Sequence, residues 1–173
     1  MMLMMQGVTS NGLPLPQQKI IHGSRTVLEI PKNCHREGTA WAVPRLIELV
    51  RKWHPAAVVV PKNGPAAAFI NELVNARIEV LAAGSADEAA AFSLMVTGIQ
   101  HKKIIHLGKE NAPSMWTAVA SADTRVIGDG GKGWCRRTSE TDITPIMAPT
   151  LAYWGLNKQH RSYDLMKSIG RLG

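Results

Sequence analysis

The hydrophobic positions of the chain follow two different spacings. A continuous β-branched run at residues 56–60, bounded by prolines, predicts a central strand buried on both faces. Before this run, apolar residues three and four positions apart predict a helix whose buried face is Leu46, Ile47, Val50 and Trp53. A helical spacing followed by a strand-like run is the beginning of a helix–strand alternation.

The alternation continues along most of the chain. It predicts helices at residues 66–75, 87–96 and 113–120, and short strands at 78–81, 103–106 and 125–127. Ser85 is the predicted cap of the helix at 87–96. Nearer the start, the pattern predicts strands at residues 1–8 and 25–30, joined through an Asn11-Gly12 hairpin signal. Antiparallel strands followed by alternating elements predict an α/β fold, with a mixed sheet flanked by helices.

The last predicted helix has the clearest buried face in the chain. Apolar or semi-apolar positions recur with helical spacing at Ile143, Ile146, Met147, Thr150, Leu151 and Trp154. Ser139 or Thr141 is the predicted cap, with Asp142 in the first turn, where a carboxylate is favoured by unpaired amides. Pro149 predicts a kink or a break inside this helix. An ordinary helix-start acid and a functional carboxylate both explain Asp142.

Length and composition predict one domain. The 173 residues suffice for a single core, which we place at residues 1–157, followed by a basic tail at 158–173. No apolar run approaches the roughly 18 residues that would span a bilayer, and no basic leader opens the chain, so we expect a cytoplasmic protein without a membrane segment. Cys34 and Cys135 predict two reduced thiols rather than a disulfide or a zinc site.

Charge points to an anionic partner. Twenty Lys and Arg against thirteen Asp and Glu give a net charge of +7, which favours nucleic acid, although basic enzymes share this balance. Sites in α/β sheets form at the carboxyl ends of strands. Lys62 and Asn63 follow the predicted central strand, and either contact phosphate or belong to a plain turn.

A glycine-rich turn surrounds Asp129, and its glycine spacing matches neither a P-loop nor a dinucleotide-binding loop. Lys132, Arg136 and Arg137 lie close in sequence to Asp129 and Asp142. This combination of acidic and basic side chains suits a metal-bound phosphodiester whose DNA backbone is contacted by cations. A solvated surface turn explains the same residues almost as well.

The histidines and tryptophans are predicted to be structural. The six histidines lack the spacing of a metal site. The five tryptophans are predicted to pack in the core rather than to stack on bases.

Four segments together resemble a known family: EGTAWAVPRLIEL, AAVVVPKNGPAAAFI, IGDGGKGWCRR and DITPIMAPTLAYWGL. Their order and spacing, over roughly residues 38–156, resemble the C-terminal nuclease domain of tailed-phage terminase large subunits. The resemblance implies a ribonuclease H-like fold in which acidic residues hold two divalent ions, Mg²⁺ or Mn²⁺, and cut concatemeric DNA during genome packaging. It also implies double-stranded DNA, and other terminase or portal components, as partners in the host cytoplasm.

The family pattern transfers only in part. Asp142 matches the metal-binding acid at the start of the last helix, and Asp129 falls in the matching glycine-rich turn. The acid expected after the central strand falls at Pro61, which binds no metal. Residues 1–12 resemble the second strand of the family, as though the chain began one strand late; if they are the first strand, Thr9 falls near the expected acid. The ATPase motor of full terminases has no counterpart.

The missing acids limit the predicted chemistry. One firm carboxylate carries too little negative charge for two hard cations, so we expect weak or absent cleavage. The first hypothesis is a truncated or degenerate nuclease domain with Asp142 and Asp129 at its catalytic site, and the alternative is a noncatalytic basic DNA-binding or assembly module. A prophage remnant without selected activity is a third possibility. The expected DNA contacts are Lys62, Lys132, Arg136 and Arg137.

Overall fold

The computed structural model of the chain describes residues 4–5, 26–28, 37–55, 57–106 and 108–169, with the backbone alone at 4–5, 26–28, 57 and 160–169. The elements are β1 (Met4–Met5), β2 (Thr26–Leu28), α1 (Ala42–Trp53), β3 (Ala57–Pro61), a 3₁₀ helix (Pro65–Phe69), α2 (Ile70–Asn75), β4 (Val80–Ala83), α3 (Ser85–Gln100), β5 (Ile104–His106), α4 (Gly108–Asn111), α5 (Pro113–Ser121), β6 (Asp123–Ile127), β7 (Gly131–Cys135) and α6 (Thr144–Ile169). The predicted mixture of helices with parallel and antiparallel strands is confirmed. Among these residues, no helix has both the length and the apolar character needed to cross a bilayer.

β3 is the middle strand of a three-stranded mixed sheet. It pairs in parallel with β4, where Val59 lies opposite Leu81, and antiparallel with β1, where Met4 lies opposite Val58. The β-branched run therefore forms the buried central strand that the sequence predicts. β2 and β5 form a separate parallel pair, and β6 and β7 form an antiparallel hairpin.

Successive side chains of β3 point to opposite faces of the sheet, and helices cover both faces. Val58 and Val60 pack against α1 and α2, in a cluster that includes Leu46 and Leu73. Val59 faces the other way and packs with Ala83 on β4 and with Ala91, Leu151 and Trp154 from α3 and α6. The carboxyl ends of β3 and β4 consequently lie between two helical layers.

α6 lies very close to the sheet at Gly155. A methyl group built on this glycine would stand 2.3 Å from Cγ2 of Val59, so only a residue without a side chain fits there. Of the kink or break predicted at Pro149, the break is wrong, because the helix is continuous through this residue. Pro149 is fully buried, so its ring packs in the core although it donates no backbone hydrogen bond. The helical backbone also continues past the domain boundary predicted after residue 157, as far as Ile169.

The predicted pairing of the first two strands is wrong. β1 pairs with β3, and β2 pairs with β5, so the two strands do not form a hairpin with each other. The Asn11-Gly12 turn itself, and Thr9, lie outside the described residues. β1 covers the edge of β3 that β4 leaves open, and an open edge of a buried strand is a strong pairing site.

β7 is a strand that the sequence analysis missed. Its segment contains Gly131 and Gly133, and glycine is poor strand material. Gly131 is the more constrained of the two, because a Cβ atom there would stand 2.8 Å from the backbone carbonyl oxygen of Ile127 on β6 and 3.0 Å from Cβ of Ala89 on α3. At Gly133, a Cβ atom would meet the movable Cδ1 of Ile127. The turn between the strands uses Gly128 and Gly130 at positive φ, where glycine has no steric penalty.

Candidate nucleic-acid interface

The loop after β3 is joined to the start of α3. The Lys62 amide donates a hydrogen bond to the Ala83 carbonyl at 2.7 Å, which extends the ladder one residue past the strand. Asn63 Nδ2 donates to Ser85 Oγ at 2.9 Å. The polar residues predicted at this strand end therefore lie at the carboxyl edge of the sheet, where Lys62 is exposed.

The first turn of α3 is occupied by its own carboxylate. Gly84 is the cap, rather than the predicted Ser85, and its N–H donates to Oδ2 of Asp87 at 2.9 Å. Lys158 from α6 lies 3.9 Å from the other carboxylate oxygen of Asp87. Because an acid already fills this position, a bound phosphate is disfavoured there.

Glu88, one residue further along α3, is a second carboxylate that the sequence analysis missed. Its side chain is 13% exposed, and Oε2 accepts a hydrogen bond from Nη2 of Arg125 on β6 at 3.2 Å. Burial raises the pKa of the Glu88 carboxyl, against the lowering influence of Arg125 and Arg136. Glu88 therefore connects α3 to the hairpin through a partly desolvated charge.

Glu88 also lines a small cavity of about 20 Å³ with Trp134 and Thr150. Trp134 packs edge-to-face on Phe92 from α3, with ring centroids 4.8 Å apart, and its indole N–H donates to Thr150 Oγ1 on α6 at 3.0 Å. The hairpin is thus fixed to both helices by one tryptophan.

The open end of the hairpin carries a hydrogen-bonded cluster around Asp123. The Thr138 hydroxyl donates to Oδ2 of Asp123, and the Asp123 N–H donates to Ser139 Oγ at 2.9 Å. The Thr138 hydroxyl, together with the Thr124 N–H, lowers the pKa of the Asp123 carboxyl. Thr138 also lowers the pKa of the Cys135 thiol. No sequence motif pointed to this cluster, because its members come together only through the hairpin register.

Asp142 precedes α6 instead of lying in its first turn as predicted. The helix starts at Thr144, and both the N–H and the hydroxyl of Thr144 donate to Oδ1 of Asp142, the N–H at 2.9 Å. Neither Ser139 nor Thr141 is the cap, because both belong to the base of the hairpin, where the Thr141 hydroxyl contacts the Ser121 hydroxyl. Asp142 has the geometry of a helix-capping acid.

Asp129 and Asp142 lie at opposite ends of the hairpin. Asp129 is exposed in the turn, next to the Ile127–Gly131 pair, whereas Asp142 adjoins the open end, where Asp123 pairs with Cys135. Four residue steps along an antiparallel strand span about 14 Å. A shared metal ion would need an oxygen of each carboxylate within about 2.0–2.6 Å. At this separation, Asp129 and Asp142 cannot bind the same ion.

The acids of the described segments do not fit a two-metal centre. No group of three or more His, Cys, Asp or Glu side chains converges there in a way that would hold a metal ion. Pro61, where the sequence resemblance predicts an acid after the central strand, ends β3 and supplies no ligand. We therefore derive no metal-dependent step for these residues.

The predicted DNA contacts are all exposed. Lys62 follows β3, Lys132 lies on β7, and Arg136 and Arg137 follow β7 directly. Arg136 Nε donates to Met147 Sδ at 3.0 Å, which orients this side chain along α6. The ion pairs found among the described side chains are Arg45–Glu48, Arg125–Glu88 and Lys158–Asp87, so none of the four contacts is paired with a described carboxylate within 4.0 Å. Arg136 nevertheless acts on the Glu88 carboxylate from beyond that distance, because it opposes the rise that burial causes in the pKa of Glu88.

One tryptophan departs from its predicted packing role. Trp116 on α5 is 44% exposed and meets His106 edge-to-face at 5.9 Å. Trp154, by contrast, is buried between α6 and the sheet. The core prediction therefore holds for Trp154 and is wrong for Trp116, which faces outwards because Met115 and Ala118 form the buried side of α5.

Comparisons of the chain with protein-family models, with curated proteins and with solved structures found no match.

Proposed function

We propose that the chain is a noncatalytic DNA-binding module derived from a terminase-type, ribonuclease H-like nuclease domain. The four sequence segments support the family, and a mixed sheet with helices on both faces is compatible with its fold. The observation that carries the choice of a noncatalytic role is the separation of Asp129 from Asp142 along the hairpin. Beside them lie four exposed cations that form no ion pair with a described carboxylate.

The contact set, defined as Lys62, Lys132, Arg136 and Arg137, would bind phosphate oxygens. Lysine and arginine contacts to the DNA backbone supply affinity without sequence preference, and each releases condensed counterions. Binding should therefore be salt-dependent and insensitive to base sequence. A role in genome packaging, in the host cytoplasm and beside other terminase or portal components, would use this contact to hold double-stranded DNA.

The first experiment measures DNA affinity. Fluorescence anisotropy with a labelled duplex of random sequence is recorded over a range of salt concentrations for the full chain and for single alanine variants of the contact set. Each variant should weaken binding and reduce the salt slope by about 1. Lys109→Ala, an exposed lysine on α4, is the matched control and should leave the slope unchanged. Equal losses for Lys109→Ala and the contact variants would contradict a localised interface.

The second experiment distinguishes the module from an active nuclease. Purified chain and Asp142→Ala are incubated with supercoiled plasmid and Mn²⁺, and nicking is followed on gels. We expect no nicking by either protein. Nicking by the native chain that disappears in Asp142→Ala would replace the noncatalytic proposal with the metal-dependent nuclease. Nicking that persists in Asp142→Ala would contradict both the noncatalytic role and Asp142 as a metal ligand.

A further inference from the structure

The loop that follows β3 contains an asparagine directly before a glycine. Asn63 and Gly64 are both exposed, and together with Lys62 they connect the strand to the 3₁₀ helix that begins at Pro65. The proposed function uses Lys62 and gives Asn63 no role. An asparagine before glycine is chemically reactive, because the glycine nitrogen can attack the side-chain amide without hindrance from a Cβ atom.

The conformation of Gly64 explains why the loop needs glycine at this position. Gly64 has a φ of 124° and a ψ of −179°, a backbone region that is essentially restricted to glycine. A larger residue would therefore strain the loop, although a methyl group built on Gly64 would meet no heavy atom within 4 Å. The same open space leaves room for a reaction at the Gly64 nitrogen.

The Gly64 amide is free for this reaction, whereas the Asn63 side chain has one restraint. Among the described residues, no acceptor is found for the Gly64 N–H, while the Gly64 carbonyl accepts a hydrogen bond from the Ala67 N–H at 3.1 Å. Nδ2 of Asn63 donates to Ser85 Oγ at 2.9 Å. Both of these side chains are exposed, so their hydrogen bond competes with water and changes an equilibrium only about two- to tenfold.

We propose that Asn63 is a deamidation site, at which solvent water converts the side-chain amide to a carboxylate beside Lys62. The Gly64 nitrogen attacks Cγ of Asn63, the bond from Cγ to Nδ2 breaks, and ammonia leaves with the proton from the Gly64 nitrogen. Water then opens the resulting cyclic succinimide at either carbonyl carbon, which gives aspartate or isoaspartate at this position. The reaction consumes water, releases ammonia and changes no oxidation state.

The hydrogen bond to Ser85 restrains the reaction in the folded chain. While Nδ2 is bound to Ser85 Oγ, the Asn63 side chain is directed at the start of α3 rather than at the backbone of its own loop. The folded chain should therefore deamidate at Asn63 about two- to tenfold more slowly than the unfolded chain, which is the effect of one exposed hydrogen bond.

Peptide mapping by mass spectrometry measures this rate directly. The full chain is incubated in mildly alkaline buffer, with and without guanidinium chloride, and aspartate and isoaspartate at position 63 are quantified over time. Asn11, which precedes Gly12, provides the reference rate for an unfolded Asn-Gly pair in guanidinium chloride. Asn63→Gln should give no product at this position, because its longer side chain would have to close a larger ring. A folded-state rate more than about a hundredfold below the unfolded rate would overturn the site, because one exposed hydrogen bond does not slow a reaction that much.

Ser85→Ala and Ser85→Thr are a matched pair that tests the restraint. Ser85→Ala removes the acceptor and should raise the folded-state rate about two- to tenfold, whereas Ser85→Thr keeps a hydroxyl and should leave the rate low. Gly84 is the cap of α3, so neither variant should unfold the helix, and circular dichroism checks this. Equal rates in the native chain and in Ser85→Ala would overturn the role of Ser85.

The consequence for DNA binding rests on the proposed function. A carboxylate one residue from Lys62 repels phosphate, so Asn63→Asp should weaken duplex binding about two- to fivefold, whereas the neutral Asn63→Gln should not. The deamidation rates are measured without DNA and do not depend on this consequence. If Asn63→Asp binds duplex as tightly as the native chain while Lys62→Ala binds more weakly, the consequence for DNA is wrong and the proposed function stands. If all variants of the contact set bind normally, the proposed function is wrong, and the deamidation rates alone decide the site.

Discussion

Glu88 and Arg125 form the ion pair that fastens the β6–β7 hairpin to α3, with Oε2 of Glu88 3.2 Å from Nη2 of Arg125. The carboxylate is mostly buried, while the guanidinium is about half exposed. Such a pair loses hydration on folding and regains it only partly from mutual attraction. The hairpin is consequently attached through a group whose protonation affects the stability of the fold.

We expect Glu88→Gln to change how stability depends on pH. The pKa of Glu88 is raised in the folded chain, so its carboxyl binds protons more tightly folded than unfolded. Stability that depends on the protonated form is fully present below the ordinary pKa of glutamate and is lost as pH rises through the raised pKa. Urea unfolding should therefore show Glu88→Gln gaining stability relative to the native chain between pH 4 and pH 7. A constant difference across this range would contradict the raised pKa.

Removing the Thr138 hydroxyl should raise two pKa values together. The Thr138 hydroxyl is the largest influence that lowers the pKa of both Asp123 and Cys135. In a Cys34→Ser background, ¹³C NMR titration of both side chains should show each pKa moving upward in Thr138→Ala. Thr138→Ser retains the hydroxyl and should keep both values low. The lowered pKa of the Asp123 carboxyl stabilises the folded chain at pH values above the ordinary pKa of aspartate, and this stability is lost as the pH falls. Thr138→Ala should therefore lose less stability on acidification than the native chain. Movement of only one pKa would show that the two groups do not share this donor.

Thr150→Val should destabilise the fold by about 1–3 kcal/mol, because it leaves the half-buried Trp134 indole N–H without its acceptor. Thr150 is itself 2% exposed, and its hydroxyl also donates to the Ile146 carbonyl at 2.7 Å. Thr150→Ser keeps the hydroxyl and loses one methyl group, at about 1 kcal/mol. Equilibrium urea unfolding compares the two. A valine variant as stable as the native chain would mean that the indole hydrogen bond contributes nothing.

Gly155→Ala should destabilise the fold by about 1–3 kcal/mol, even though alanine favours helix, because its methyl group would clash with Val59. Val59→Ala removes the clashing atoms. In the Val59→Ala background, Gly155→Ala should be neutral or stabilising by up to about 1 kcal/mol. The coupling is measured as a double-mutant cycle from urea midpoints, and an additive result would show that α6 can move away from the sheet.

The sequence predicts the sheet centre well and the site poorly, for identifiable physical reasons. β3 is found because five apolar residues between prolines leave few alternatives. β7 is missed because local propensity opposes a strand with two glycines, whereas the tight surroundings of Gly131 come from Ile127 across the hairpin and from Ala89 on α3. Tertiary packing overrides propensity there.

The candidate site illustrates the same limit. Asp87 and Glu88 look alike in sequence, as two acids in one helical turn. In the structure, Asp87 accepts a hydrogen bond from the Gly84 N–H at the start of the helix, whereas Glu88 is mostly buried against Arg125. Asp142 is correctly placed near the start of the last helix, but its distance from Asp129 depends on hairpin register, which no local pattern encodes.

The close approach of Gly155 to Val59 has a consequence during synthesis. The two residues are about 95 positions apart, so the α6-facing side of β3 is translated long before the helix that covers it. At about 5–20 residues per second, that apolar side waits roughly 5–20 s for its partner. A nascent chain must therefore expose Val59 and Leu81 to the ribosome surface and to chaperones before it can bury them.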